Sequence, residues 1–589
     1  MKFWKILVPA FVCVVLAAFL PTTARAATEG AYDYEVRKGE AIITDYDDSI
    51  SGKVTIPATL GGYPVTTIDE YAFGHCDNMT AVVIPEGVVK LAPRAFYWSD
   101  SLTSVTFPGS LRTIGYEAFM WCDQLTSVTI PEGVTTIEYS AFENCTALTT
   151  VSLPSSLEHL GGWVFLDCDN LTLKTYDNAK YLGNSKNPYL VLVEAKSATI
   201  TQCKINASTK IIDNCAFQDC YKLTTISIPG SVRTIGSFAF SGCYALKSAT
   251  INSGVQTIYE YAFEDCIKLT SVTVPEGVTY LGHCLFEGCT ALQTAKLPTT
   301  ITYAGSDLFD ECTNMTYTIY GNARYVGNAT NAYTVLVLAD STAITQCQIH
   351  PDTKVIAEEA FYDCANLTSL AIPEGVITVG DWAFAYCRSL KTVSIPNSIT
   401  NIYRYAFSSC GSMEYNAYDN ALYLGNEANP YLVLMENTTS SIKTCQIHPN
   451  TKVIADAAFY NCNYMTSVTI PASVTHICDW AFSRCTGLTD VYYGSTAAKW
   501  KKVSVGDENQ CLLDADFHFA QAQSGDMDGD GELTIDDAIY LLLHVMFGDE
   551  DYPLSAQQTA DTDGDGVPSI DDAIYLLLHV MFGEEDYPL

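Results

Sequence analysis

Apolar and polar positions alternate along this chain within a fixed 23-residue period. In one period, Leu125, Val128 and Ile130 stand at near-alternate places among threonine and serine, the pattern of a short strand with one buried face. Pro131 follows, and a residue without an N–H ends a ladder there. Gly133 allows a turn, Val134 to Ile137 reads as a second short strand, and Ala141-Phe142 brings a ring to the interior. That phenylalanine recurs every 23 residues in four runs. The first is Phe73, Phe96, Phe119, Phe142 and Phe165; the second is Phe217, Phe240, Phe263, Phe286 and Phe309. Phe361, Phe384 and Phe407 form the third, and Phe459 with Phe482 the fourth, which makes 15 units. Between runs the step is 52, the ordinary step lengthened by 29 residues.

The added residues repeat as well. Tyr181-Leu182-Gly183-Asn184 returns as Tyr325-Val326-Gly327-Asn328 and as Tyr423-Leu424-Gly425-Asn426. Each insertion carries a dense apolar run such as Tyr189 to Val193, which predicts a repeated β-hairpin or an enlarged rung. One 23-residue unit cannot bury its own apolar face, whereas stacked neighbours can. The predicted fold is therefore a mainly β solenoid of 23-residue units with 29-residue insertions, followed by a small all-α domain.

A chain of 589 residues exceeds what one compact core supports, in keeping with a repeat array. The net charge of −36 and isoelectric point near 4.4 argue against nucleic acid, whose phosphates this surface would repel. From Gly525 to Leu589 there are 17 Asp and Glu and no Lys or Arg, so nearly half of the net charge lies in the last 65 residues. At the other end, Lys2 and Lys5, the apolar run Ile6 to Leu20 and Ala24-Arg25-Ala26 form a signal-peptide pattern, with a mature start near Ala27 and a secreted product expected. The apolar run falls short of the ~20 residues that span a bilayer. No other segment is long and apolar enough to span, so no transmembrane segment is expected in the mature chain.

Fourteen cysteines stand three residues after a repeat phenylalanine, and Ser99 replaces the fifteenth. Cys203, Cys347 and Cys445 take equivalent places in the insertions. One cysteine per unit at one place predicts an interior column of small buried side chains that hydrogen-bond turn backbone, with thiols free. A disulfide framework is the competing reading for a secreted chain. The pairs Cys215/Cys220 and Cys284/Cys289 lack the usual zinc spacing, and the neighbours His75/Cys76 and His283/Cys284 fit better as packing residues than as thiol nucleophiles.

With these features in view, Tyr32 to Phe519 resembles the BspA-like class of leucine-rich repeats. Val491-Tyr492-Tyr493-Gly494, Trp500 and His518-Phe519 look like that family's closing element. The resemblance implies binding and adhesion, with no catalytic residues, and leaves the ligand open between protein and polysaccharide.

The C-terminal segment carries a different chemistry. Asp526, Asp528 and Asp530 with Gly531 open a 12-residue loop that ends at Asp537; Asp561, Asp563 and Asp565 with Gly566 open another, 35 residues on, that ends at Asp572. Oxygen ligands at positions 1, 3, 5 and 12, with glycine at position 6, are what Ca²⁺ takes, the backbone carbonyls of Glu532 and Val567 adding the position-7 ligand. Thr534 and Ser569 stand at position 9. Two Ca²⁺ ions are expected. The segments Ala538 to Phe547 and Ala573 to Phe582 are identical and apolar nearly all round, so a packed pair leaves an exposed apolar side that marks a partner site. Pro568, in place of Leu533, removes a backbone donor at position 8, which predicts a weaker second Ca²⁺ site.

Two such loop–helix units resemble the type I dockerin module. The resemblance implies a cohesin partner on a scaffoldin or cell surface, contacted through Ile535, Asp536, Leu542, Leu543 and Phe547 and through Ile570, Asp571, Leu577, Leu578 and Phe582. Position 12 departs from the standard EF-hand in being Asp rather than Glu, and no helix precedes either loop. The expected organisation is a signal peptide over 1–26, an N-terminal cap over 27–60, the leucine-rich-repeat solenoid over 61–487, its C-terminal cap over 488–519, a linker over 520–524 and the dockerin over 525–589. The expected function is a secreted, non-enzymatic binding or adhesion protein held by dockerin and cohesin on a cellulosome-like scaffold or cell surface. The alternative is a dockerin-bearing component that degrades polysaccharide through an unrecognised active site, although the repeats leave no room for a catalytic domain.

Overall fold

A computed structural model describes residues 25–47, 50–520, 527, 533–547, 562 and 569–582. The chain divides into two compact units, Met1–Cys220 with Pro229–Ala239 and Tyr221–Ile228 with Phe240–Leu589. Both units are stacks of β-solenoid turns, about 21 in all among the described residues.

In the first unit, Arg25–Glu29, Tyr32–Arg37 and Glu40–Tyr46 form an antiparallel meander, and the last of these strands pairs in parallel with Tyr63–Ile68. Lys90–Leu91, Thr113–Ile114, Thr136–Ile137 and His159–Leu160 then add one per rung, in parallel and in a register of 23 residues. A second parallel sheet runs through Gly52–Thr55, Met79–Val83, Ser104–Thr106, Ser127–Thr129 and Thr150–Ser152. The inward residue is buried at Val82 and Val128 and partly buried at Val105 and Val151, and beside Val128 the outward Ser127 and Thr129 are exposed. The pattern of alternation in the sequence is thus the pattern of the sheet face. Gly133 sits at φ 106° in the turn after Pro131, a conformation that L side chains rarely adopt.

Ala141 and Phe142 lie on a turn that is neither helix nor strand. Its N–H groups alternate in direction. Those of Ser140, Phe142 and Asn144 donate to Gly162 O, Val164 O and Leu166 O of the next rung, while those of Ala141, Glu143 and Cys145 close turns within their own rung. The alternation puts Ser140 and Asn144 in the left-handed region, at φ 56° and 59°. Tyr71 and His75, Trp163 and Asp167, and Trp382 and Tyr386 repeat this arrangement in other rungs. Phenylalanine rings then stack along the interior. Phe96, Phe119 and Phe142 are spaced 5.0 and 5.2 Å apart and lie within 4° of parallel. Phe361 and Phe384 do the same at 5.0 Å in the second unit.

Each 29-residue insertion folds as a three-stranded antiparallel meander, both a hairpin and an enlarged rung. The strands are Lys174–Tyr176, Ala179–Leu182 and Val191–Ala195 in the first unit. In the second they are Thr318–Tyr320, Ala323–Val326 and Val335–Ala339, and again Asn416–Tyr418, Ala421–Leu424 and Val433–Asn437. The repeated four-residue motif has a reason at each place. Tyr181, Tyr325 and Tyr423 are fully buried. Any side chain at Gly183, Gly327 or Gly425 would collide with the carbonyl of Asn187, Asn331 or Asn429. Asn184, Asn328 and Asn426 donate through Nδ2 to Leu153 O, Leu297 O and Ile395 O of the preceding rung, at 2.8, 3.0 and 2.9 Å.

At the C-terminal end of the repeats, Asp490–Tyr493 pairs in parallel with Asp516–Phe519, and Trp500 packs against Tyr493 and Phe517. The helices Ile535–Phe547 and Ile570–Phe582 follow and pack on each other through Ala538, Leu541, Ala573 and Leu576.

Candidate functional site

Both C-terminal helices begin in the same way. Thr534 stands before the helix Ile535–Phe547 and its Oγ accepts the Asp536 N–H at 3.2 Å. Asp537, on the first turn, returns Oδ2 to the Thr534 N–H at 2.7 Å. The pair is a variant of the capping box, with the cap hydroxyl on the second helical N–H and aspartate in the third position. Asp537 Oδ1 reaches further back and accepts the Met527 N–H at 2.8 Å, so one buried carboxylate ties the front of the loop to the helix that follows it. The second copy repeats each bond. Ser569 Oγ accepts the Asp571 N–H at 3.1 Å, and Asp572 accepts the Ser569 N–H and the Thr562 N–H, both at 2.7 Å. Thr562 Oγ adds a bond to Asp572 O at 2.8 Å, which Met527 has no hydroxyl to make. The position-9 side chains, Thr534 and Ser569, therefore serve the helix cap. The remaining ligand candidates, Asp526, Asp528, Asp530, Glu532, Asp561, Asp563, Asp565 and Val567, lie outside the described residues, as does Pro568.

The residues expected to meet a partner divide into two sets. Ile535, Asp536 and Phe547 are exposed, as are Ile570, Asp571 and Phe582. Leu542 and Leu577 pack against the core between the helices, and Leu543 and Leu578 are half-buried. Ile539, Met546, Ile574 and Met581, which the sequence reading did not single out, are about half exposed or more. Helical phase could have found them, since Ile535, Ile539 and Met546 fall four and seven residues apart.

The thiols form a structural column. None of the 21 cysteines among the described residues is in a disulfide. Cys122, Cys145 and Cys168 donate to Phe96 O, Phe119 O and Phe142 O at 3.2–3.3 Å, always 26 residues back. Cys289, Cys387 and Cys485 repeat the bond. Ser99 makes it with a hydroxyl, to Phe73 O at 2.9 Å. Burial pushes Cys122 up to about 12, the opposite of what a nucleophile needs. Beside Cys284, also pushed up to about 12 by burial, His283 is turned to Glu358, with Nδ1 at 3.0 Å from Oε2, and it takes part in a buried polar link that includes the Tyr303 hydroxyl.

The profile of the BspA type leucine rich repeat region matches the chain in six copies, over residues 53–185, 195–326, 338–428 and 435–504. No match was found among curated proteins. Among solved structures, a leucine rich cell surface protein from Faecalibacterium prausnitzii is 25% identical, covering 82% of this chain and 98% of its own, with a TM-score of 0.22. A leucine-rich repeat protein from Bacteroides ovatus is 20% identical over 86% of this chain and 99% of its own, with a TM-score of 0.23. One from Bacteroides capillosus is 30% identical over 23% of this chain and 97% of its own, with a TM-score of 0.19. The family profile spans most of the solenoid, as the 23-residue period, the buried phenylalanine stack and the two parallel sheets require, and the chain belongs to the BspA-type leucine-rich repeat family.

Proposed function

We propose that this chain is a secreted, non-enzymatic binding or adhesion protein. Its solenoid presents a protein- or polysaccharide-binding surface, and its C-terminal pair of loops and helices is a dockerin that binds two Ca²⁺ ions and docks on a cohesin. The observation that carries the docking half is the pair of buried carboxylates Asp537 and Asp572. Each ends a 12-residue loop of repeated aspartates, and each is already oriented by two or more hydrogen bonds from that loop. An all-oxygen donor set of this kind suits a hard cation. Repeats and their caps occupy Tyr32 to Phe519, which favours binding over catalysis.

Calcium titration followed by calorimetry tests the reading: two binding events are expected, both lost in the double variant Asp537→Ala/Asp572→Ala. A cohesin array tests the partner. Capture that needs calcium and fails in that variant supports docking, and calcium binding without any cohesin capture would remove the dockerin assignment.

A further inference from the structure

The insertions do more than lengthen the stack. Within a run, each phenylalanine ring is covered by the rings before and after it. Phe165 ends its run: it stacks on Phe142 at 5.8 Å and remains only partly buried, and the next repeat phenylalanine comes 52 residues later. A cleft of about 930 Å³ opens there, in the first unit. Its floor is apolar, formed by Phe165, Leu171, Leu173 and Val193. Its rim carries the carboxylates of Asp167, Asp169 and Glu194, all exposed, and Asp213 lines the wall. The cation on the rim, Lys180, is already 2.7 Å from Glu194. Asp213 Oδ1 accepts the N–H of Asn214, and no ion pair reaches it among the described residues.

A similar cleft recurs at the second insertion, wholly within the second unit, although the ring that ends the run there is itself buried. Phe309 ends its run, stacked on Phe286 at 5.6 Å. A cleft of about 530 Å³ has Phe309, Met315, Tyr317 and Val337 in its lining. Exposed Asp307, Asp310 and Glu311 stand on its rim. Arg324 occupies the place of Lys180 and pairs with Asp340 at 3.0 Å. Two clefts of separate sequence thus share an apolar floor, an acidic rim and one cation that is already neutralised.

We infer that these two clefts bind a positively charged segment of a partner protein, with an apolar side chain seated on the floor and lysine or arginine against the rim. The inference rests on the reading of the solenoid as the ligand-binding part. Charge complementarity decides the class. An excess of carboxylates repels acidic glycans and nucleic acid and exerts no long-range pull on a neutral sugar, whereas a basic segment is steered in by it. The apolar floor holds an anchor of the kind found at the centre of protein interfaces.

The probe is a fluorescent peptide with a Leu-Phe pair flanked by two Lys-Arg pairs, titrated into the full mature chain. Two sites are expected, with affinity that falls as salt rises. The triple variant Asp167→Asn, Asp169→Asn and Glu194→Gln should weaken one site roughly tenfold, and Asp307→Asn, Asp310→Asn and Glu311→Gln the other. A control variant with Glu40→Gln, Glu158→Gln and Glu427→Gln, all outside the clefts, should leave both sites unchanged, and unchanged far-UV circular dichroism verifies each fold. The inference is overturned if the cleft variants bind like the parent, if the control loses as much affinity, or if an analogue with glutamate for each basic residue binds equally well. It is also overturned if xylohexaose or cellohexaose binds and is lost with the cleft carboxylates. A ligand captured by the solenoid with no effect of the cleft variants would sink the inference and leave the broader binding role standing.

Discussion

Phe119 O shows how a single atom governs this interior. It accepts the N–H of Cys122 at 3.3 Å and the thiol of Cys145 at 3.2 Å from the next rung. Ser99 proves that a hydroxyl can take the thiol's part. Cys145→Ala should therefore cost about 1–2 kcal/mol through a lost bond and a small void, and Cys145→Ser less, as read from urea midpoints. The thiols also set an alkaline limit. Burial raises Cys122, Cys168, Cys203, Cys284, Cys347 and Cys445 to about 12. The folded chain keeps these protons while the unfolded chain releases them near 9, so stability is fully present below pH 9 and is lost as pH rises toward 12. Unfolding at pH 8 and pH 10.5 checks the sign. Asp456 runs on a different window. Its Oδ1 is buried with no partner, and burial, with Asp479 and Asp381 adding to it, pushes the carboxyl up to about 7. The unfolded chain ionises near 4, so the cost of this carboxylate grows from pH 4 to 7 and is full above 7. Asp456→Asn should stabilise by about 1–4 kcal/mol at pH 8 and by nothing at pH 3.

At the scale of elements, the strands and the phenylalanine turns were unequally legible. The Pro131 and Gly133 turn and the strand Ser127–Thr129 follow from residue type alone. The left-handed residues of the phenylalanine turn do not. Tyr71, Trp98 and Ser140 are not residues that favour φ near 57°, and each costs roughly 1–2 kcal/mol there. What holds them is the ladder of N–H groups to the next rung, which is invisible until the rungs are stacked. Phe142→Ala, in the middle of a stack, should cost about 3–5 kcal/mol, since rings on both sides lose their neighbour. The C-terminal helices were legible as a repeat, whereas Thr534 and Ser569, read as position 9 of the loops, were found as their caps only in the structure. Thr534→Ala and Ser569→Ala should each weaken that cap by about 1 kcal/mol, measured from loss of helical circular dichroism on chelation. Pro568 still predicts the weaker calcium site in the second loop. Asp526→Ala is expected to lose more calcium affinity than Asp561→Ala, and calorimetry showing the reverse would count against it.

For the whole molecule, the repeats and the helix pair should respond to different agents. The solenoid buries a long apolar core, whereas the helix pair buries a small one around Ala538, Leu541, Ala573 and Leu576. Chelation with EDTA should lower a small, separate thermal transition by an amount that depends on calcium concentration and leave the large one in place. A single transition shifted as a whole would argue against that independence.

Period, strand sites and the cysteine column were all readable in the chain, because each recurs at a constant interval and a repeat that must stack on itself advertises its contacts. The Tyr-x-Gly-Asn motif was readable only as a repetition. Its buried tyrosine, its glycine against a carbonyl and its asparagine bonded 31 residues back became interpretable once the rungs were in register. The clefts were beyond reach, since they are made by an absence: a phenylalanine stack that stops where a meander enters, which in the first cleft leaves Phe165 half-covered. Which side of an all-apolar helix faces water was likewise settled by its partner. Leu541 and Leu576 turn inward and Phe547 and Phe582 outward, a choice that identical sequences cannot express until one helix lies against the other.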